Sequence, residues 1–168
     1  MGNALWRGAT FRGTRLFKCD LEFMELPDAD FTGADLNGSL LTGSVIPRGK
    51  FSGARLIDTG LSEIDWPEAD LRDADFTGAS FHLGSSRSGL VGSTIPCEGS
   101  KTGFYTDEAN EQDFKPPEEI RKACLCGADL RGAKVEGADW YLVDLRGAKY
   151  TLDQARWFKR NGAILVSR

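Results

Sequence analysis

Large apolar side chains occupy every fifth position from residue 6 to residue 81 without a break. We call these positions centres: Trp6, Phe11, Leu16, Leu21, Leu26, Phe31, Leu36, Leu41, Ile46, Phe51, Leu56, Leu61, Trp66, Leu71, Phe76 and Phe81. The residue two positions before a centre is usually small, and only Met24 and Ile64 break that rule. A period of five is neither the 3.6 of a helix nor the 2 of a strand. It predicts a chain that turns a corner every five residues.

A slower period lies over the first one, because Pro27, Pro47 and Pro67 recur at intervals of twenty. Twenty residues therefore form one coil with four sides, and the cross-section is square. Centres twenty residues apart should stack in columns. Neighbouring coils should pair as parallel strands about 4.8 Å apart, so that four coils make a rod about 20 Å long.

Glycine often lies two residues after a centre, where a type II turn needs a positive φ. On the proline side the same slot holds Asp28, Arg48 and Glu68. The sequence therefore predicts type I turns at the proline corners, with proline as the first turn residue.

Short segments such as Ala-Asp-Phe-Thr-Gly (29–33) and Ala-Asp-Leu-Arg-Gly (128–132) resemble the A(D/N)LXX unit of pentapeptide repeat proteins. The resemblance covers positions 4–81 and 123–150. It implies an all-β fold, a right-handed quadrilateral parallel β-helix, and it does not imply an enzyme.

We predict a single solenoid domain over residues 1–168. It has regular coils at 4–81, an irregular coil with an inserted loop at 82–122, resumed coils at 123–150, and a capping helix and strand at 151–168. The inserted loop, 97–119, contains aromatic residues, which favours a loop packed on the barrel over a free recognition arm.

The C-terminal segment carries the signals of a capping helix. Thr151 and Gln154 form a capping box, and Asn161-Gly162 is a stop signal. Leu152, Ala155 and Phe158 should face the last coil, because an open coil end needs a lid.

Composition excludes several classes of protein. The net charge is −4, no Lys/Arg cluster is present, and the first residues lack an apolar run. We therefore expect no direct nucleic-acid binding, no membrane segment and a cytoplasmic location. Cys124 and Cys126 flank the centre Leu125 and should both point outward, but with His82 as the single histidine they are too few for a zinc site.

The outward positions before successive centres carry two charge patterns. Arg15, Asp35, Arg55 and Asp75 alternate in sign at coil spacing, which predicts a stabilising ladder. A denser acidic cluster consists of Glu63, Asp65, Glu68, Asp70, Asp73 and Asp75. It could imitate DNA phosphates, as is proposed for the quinolone-resistance pentapeptide proteins that bind DNA gyrase. It is also explained if Asp is simply the commonest family residue at that position.

Six aromatic or apolar residues are candidate contacts for a partner: Phe17, Phe23, Ile57, Phe104, Tyr105 and Trp157. Phe17, Phe23 and Ile57 point outward near one end, Phe104 and Tyr105 lie in the loop, and Trp157 lies in the capping helix. Exposed apolar groups that gather in one place indicate a contact surface, whereas single ones are ordinary.

Catalysis has no support in the sequence, which lacks a Ser-His-Asp set, a Cys-His set and a phosphate loop. We predict a non-catalytic scaffold or adaptor that binds another protein through its flat β-helix faces, the loop 97–119 or its N-terminal end. We expect no cofactor or metal, and a monomer or a dimer through an end of the solenoid. The alternative is a DNA-mimicking binder of DNA gyrase or topoisomerase.

Overall fold

Parallel β-bridges join each side of the rod to the side twenty residues further on. Around the first coil the bridges are Thr10 to Asp30, Arg15 to Asp35, Asp20 to Leu40 and Glu25 to Val45. The computed structural model describes residues 6–81 and 122–165. The coils wind in the right-handed sense that connections between parallel strands normally take. The predicted quadrilateral parallel β-helix is confirmed.

Backbone hydrogen bonds run from coil to coil and also close the corners. The Phe11 amide donates to the Asp30 carbonyl at 2.7 Å, and the Asp30 amide donates to the Ala9 carbonyl at 2.8 Å. At the next corner the Ala34 amide donates to the Phe31 carbonyl at 2.9 Å. These bonds recur along the rod. The buried backbone groups are therefore paired, although each side of a coil contributes only one bridged residue.

The centres fill the axis of the rod and stack in columns. Phe31 and Phe51 are fully buried, and the ring centroids are 4.7 Å apart for Phe11–Phe31 and 4.9 Å apart for Phe31–Phe51. The next centre of that column, Leu71, has no ring. Trp66 from the adjacent side stacks on Phe51 instead, at 4.4 Å. Its indole Nε1 donates to the Ser44 hydroxyl at 3.0 Å, so the buried nitrogen is satisfied.

The small residues before the centres have a steric cause, which Gly49 shows most clearly. A Cβ at Gly49 would lie 2.7 Å from side-chain carbons of both Ile46 and Phe51. The exception at Ile64 is tolerated, because this fully buried side chain has Ser44 and Ala123 in the same slot of the neighbouring coils.

The predicted type I turns at the proline corners are wrong. Asp28, Arg48 and Glu68 have φ values of 62°, 55° and 58°, in the left-handed region that glycine occupies at many of the other corners. A proline followed by such a residue is typical of a type II turn. The coil geometry imposes one conformation on every corner, at a cost of roughly 1–2 kcal/mol for a residue with a Cβ.

Left-handed corner residues reach along the rod and cover the glycine of the next coil. A Cβ at Gly43 would lie 2.5 Å from the Phe23 ring, and a Cβ at Gly38 would lie 3.3 Å from Cγ of Lys18. Asp58 covers Gly78 in the same way. A glycine therefore leaves room for a longer side chain at the same corner of the preceding coil.

The two described ranges form one continuous ladder. Asp65 bridges Cys124, Asp70 bridges Asp129, and the Trp66 amide donates to the Cys124 carbonyl at 2.9 Å. The irregular coil and inserted loop predicted at 82–122, including 97–119, lie outside the described residues except for Lys122. The coils on either side of them stack directly on each other.

Helix α1, Leu152–Arg160, closes the C-terminal end of the rod. The predicted capping box is confirmed: the Gln154 amide donates to Oγ1 of Thr151 at 3.3 Å, and the Thr151 amide donates to Oε1 of Gln154 at 2.9 Å. Phe158 is fully buried, with its ring centroid 4.8 Å from that of Trp140. After the helix, Ile164 bridges Asp144 and continues the ladder.

One face of the helix differs from the prediction. Leu152 is 81% exposed, so the expectation that it faces the last coil is wrong. The buried residue is Gln154, whose Nε2 donates to the carbonyls of Leu130 at 2.7 Å and Ala133 at 2.9 Å. Carbonyls at the end of the ladder need donors, and an amide side chain supplies them where leucine cannot.

No helix in these two ranges has both the length and the apolar character that a membrane span requires.

Candidate protein-binding surface

Besides the exposed centre Trp6, two aromatic rings at outward positions are exposed in the first coil. Phe17 is 53% exposed and Phe23 is 64% exposed, and they lie at the two corners that bound the side centred on Leu21. Lys18 lies between them in sequence, with Nζ 5.1 Å from the centroid of the Phe17 ring. That distance is within the range of a cation–π contact. We call Phe17, Lys18 and Phe23 the aromatic edge.

The backbone holds two members of the aromatic edge in an unfavourable conformation. Lys18 has φ 53° and Phe23 has φ 56°. A bulky side chain in the left-handed region is a true outlier. One face of the Phe23 ring covers Gly43, while most of the side chain stays open to solvent.

The structure separates the other sequence-predicted contacts from the aromatic edge. Ile57 is half-buried and lies two coils from Phe17, with Asn37 between them, and its amide donates to Oδ1 of Asn37 at 3.1 Å. Trp157 is half-buried in the cap at the other end of the rod, and its buried indole nitrogen has no hydrogen-bond partner among the described residues. Phe104 and Tyr105 lie outside the described residues.

Sequence reasoning missed the exposure of two apolar residues, the centre Trp6 in the first coil and Leu152 on the capping helix. The helical period alone placed Leu152 on the buried face. The capping box held the contrary signal, since it puts Gln154 beside the coil end and Leu152 at the first helical position.

The residues of the alternating charge ladder stack in register, the column continues to Lys134, and ion pairs form at two of its steps. Oδ2 of Asp35 lies 3.8 Å from Nη1 of Arg55, and Oδ2 of Asp75 lies 2.8 Å from Nζ of Lys134. Burial alone would raise the pKa of Asp75, but hydrogen bonds from Lys134 and Thr77 outweigh it and hold that pKa below its usual value.

Much of the acidic character on the neighbouring side is neutralised locally. Arg72 binds Asp70 with two nitrogens at 2.8 Å and 2.7 Å, and Arg131 binds Asp129 in the same way at 2.9 Å and 2.6 Å. Hydrogen bonds from Arg131 lower the pKa of Asp129 to about 2. Cations therefore interrupt the column of carboxylates.

The two thiols of the Cys-x-Cys segment lie on the outer surface, as the sequence predicts, and they also contact each other. The Sγ atoms of Cys124 and Cys126 are 2.8 Å apart, and both residues are half-buried. Within residues 6–81 and 122–165, no three His, Cys, Asp or Glu side chains come together as metal ligands. His82 lies outside these ranges.

Comparison with known proteins gives one family match. The model of pentapeptide repeats matches eight copies, at residues 2–33, 25–62, 50–83 and 123–149. No curated protein matches the chain.

Solved structures of low sequence identity also match. The pentapeptide repeat protein Rfr23 from the cyanobacterium Cyanothece 51142 is 16% identical, with 91% of this chain and 65% of that chain covered and a TM-score of 0.43. HetL, a pentapeptide repeat protein involved in heterocyst differentiation regulation in Nostoc sp. strain PCC 7120, is 21% identical, with 98% and 61% covered and a TM-score of 0.36. QnrB1, a plasmid-mediated fluoroquinolone resistance protein, is 14% identical, with 92% and 85% covered and a TM-score of 0.26. This chain spans less than two thirds of the length of Rfr23 and HetL.

Proposed function

The chain belongs to the pentapeptide repeat family, and we propose that it is a non-catalytic adaptor that binds another protein through the aromatic edge. The observation that carries the proposal is Phe23, which is 64% exposed at a corner where its φ is 56°. Glycine, which occupies this corner one coil later at Gly43, would avoid that strain. The fold itself therefore does not require a phenylalanine here.

Burial at an interface would return free energy of the same order as the strain costs. Removing a phenylalanine side chain from water is worth about 1.5–3 kcal/mol when burial is complete, and two such rings lie on this edge. Aromatic residues are also the usual anchors of protein interfaces. The partner that fits is a protein with an apolar groove and an acidic group for Lys18.

The alternative, a DNA-mimicking ligand of a type II topoisomerase, has less support. Such a ligand needs a continuous negative stripe along the rod. Here Arg72 and Arg131 neutralise Asp70 and Asp129, and Lys134 neutralises Asp75. The cations lie within the column that the mimic would need.

A capture experiment tests the adaptor proposal. The full chain is immobilised as wild type, as the double variant Phe17→Asn, Phe23→Asn, and as Leu152→Asn, and the captured proteins are identified by mass spectrometry. Asparagine is chosen because Asn37 follows Phe17 in its column and because asparagine tolerates a positive φ.

We expect the double variant to capture at least about tenfold less of the specific partner than wild type does. This corresponds to a loss of about 1.4 kcal/mol of binding free energy. Leu152→Asn removes an even more exposed apolar group elsewhere and should retain the partner. A partner that binds all three proteins equally would exclude the aromatic edge as the binding surface. Inhibition of gyrase supercoiling by wild type and double variant alike would favour the DNA mimic instead.

A further inference from the structure

The geometry of the coil brings together the two outward side chains that flank a centre. Around Leu71, Nη2 of Arg72 lies 2.7 Å from Oδ2 of Asp70. Around Phe76, Oγ1 of Thr77 lies 2.6 Å from Oδ1 of Asp75. The buried centre anchors the backbone between the two residues, so the fold allows side chains at these positions to contact each other.

Cys124 and Cys126 occupy these two positions around Leu125, which is fully buried. Their Sγ atoms, 2.8 Å apart, thus meet for the same reason that Asp70 meets Arg72. Cys19 provides the contrast within the chain. It lies in an inward slot, where its sulfur contacts the carbonyl of Phe17 at 3.9 Å.

The neighbouring coils leave the two thiols accessible to small reagents. On one side, Asp65 bridges Cys124. On the other side Asp144 bridges Cys124, but its carboxylate is held by Arg146, whose Nε donates at 2.8 Å. That arginine is therefore committed to its own carboxylate. Both cysteines keep part of their surface open to small reagents.

We propose that Cys124 and Cys126 form a vicinal dithiol that a low-molecular-weight disulfide oxidises to a reversible intramolecular disulfide. First, the Cys124 sulfur loses its proton, attacks one sulfur of the small disulfide and displaces one small thiolate, which leaves a mixed disulfide at Cys124. The Cys126 sulfur, after losing its own proton, then attacks the Cys124 sulfur and displaces the second small thiolate. The two protons convert these thiolates to thiols, so the cysteine pair loses two electrons and the reagent gains them.

The environment of the sulfurs sets the order of these steps. Burial, followed by the hydrogen bond and charge of Cys124, raises the pKa of Cys126 to about 12. Cys126 is therefore a protonated thiol at neutral pH, and the thiolate is the attacking form. Cys124 is therefore the attacking residue. Once Cys124 is in the mixed disulfide, its hydrogen bond and charge no longer raise the pKa of Cys126, and Cys126 can lose its proton and resolve the mixed disulfide.

The disulfide should be easy to reduce again. It encloses a single residue, Leu125, and so short a loop gains little from restricting the unfolded chain. Excess thiol should therefore restore the pair.

The test uses the reduced full chain, which is treated with oxidised glutathione, alkylated and analysed by intact mass and peptide mapping. Of the four cysteines in the sequence, we expect only Cys124 and Cys126 to become resistant to alkylation, with an internal disulfide in their peptide. Added dithiothreitol should restore both thiols. A persistent glutathione adduct at either residue, or alkylation of both to the same extent as Cys19, would overturn the proposal.

Two matched variants test the roles of the sulfurs. In Cys126→Ser the mixed disulfide at Cys124 should accumulate at least about tenfold above wild type, because the intramolecular attack is lost. Cys124→Ser should leave Cys126 largely unmodified, and equal adduct formation in both variants would overturn the assigned order. Cys19→Ser should behave as wild type. Circular dichroism of each reduced protein checks that it is folded, and the wild-type result stands without the variants.

Discussion

The two ends of the rod differ although they are made from the same repeat. In the first described coil, Trp6 is 54% exposed and the centres Phe11, Leu16 and Leu21 are only half-buried. At the other end, Trp140 and Leu145 are fully buried next to the coil that α1 covers. A centre therefore becomes core only when another layer lies on each side of it. The repeat supplies the apolar side chains, and a cap over the end coil determines how completely they are buried there.

The largest expected effect comes from removing the apolar part of the cap. Phe158→Ala should lower the free energy of unfolding by about 3–5 kcal/mol, because it opens a cavity against Trp140 and Tyr150. Urea denaturation followed by circular dichroism measures the change.

The control for this variant lies at the other end. Leu16→Ala removes a half-buried centre and should cost clearly less than Phe158→Ala, since part of that surface is already in water. Equal losses would contradict the contrast between the two ends.

A smaller effect is expected from the polar part of the cap. Gln154→Ala removes the donors to Leu130 and Ala133 and one half of the capping box, and should cost about 1–3 kcal/mol. Thr151→Ala removes only the helix cap and should cost about 1 kcal/mol. Leu152→Ala is the matched exposed control and should stay within about 0.5 kcal/mol of wild type. If Leu152→Ala were as damaging as Gln154→Ala, the observed face of the helix would be incorrect.

The smallest expected effect is the loss of stability at low pH, and it should be similar at both ends of the rod. Thr32 and Arg12 outweigh burial and hold the pKa of Asp30 at about 2, and Arg131 holds the pKa of Asp129 at about 2. Both values are below the ordinary value, so each carboxylate stabilises the fold above about pH 4 and this contribution is lost as the pH falls toward 2.

Two variants separate the ends in the acid titration. Asp30→Asn and Asp129→Asn should each flatten the fall in urea midpoint between pH 4 and pH 2. Each should cost at most about 1 kcal/mol at neutral pH, because the ion pairs are near the surface. An unchanged pH profile in both variants would show that other groups dominate the acid response.

The period of five was sufficient to predict the columns of the core. It places Phe31 and Phe51 in register without any further information, because a repeat of twenty allows only one stacking. The capping box of Thr151 and Gln154 was equally informative, since both of its hydrogen bonds are local.

Features that depend on the whole coil were not predictable in the same way. The turn type at Asp28 and Arg48 is set by the geometry of the solenoid, which overrides the preference of the individual residue. The burial of Gln154 in place of Leu152 depends on carbonyls more than twenty positions earlier in the chain. Among the candidate contacts, outward direction followed from the repeat, whereas the degree of exposure of Phe23 and Ile57 required coordinates.

The β-ladder continues across the segment that breaks the five-residue repeat, and this has a consequence for how the fold can change. Asp75 and Lys134 are 59 positions apart in sequence and pair side by side, as Asp28 and Arg48 do at a separation of 20. The spacing between coils is thus set by the contacts between them and not by the number of residues in each coil. New sequence can therefore be added or exchanged between Phe81 and Lys122 while the coils on either side keep their alignment.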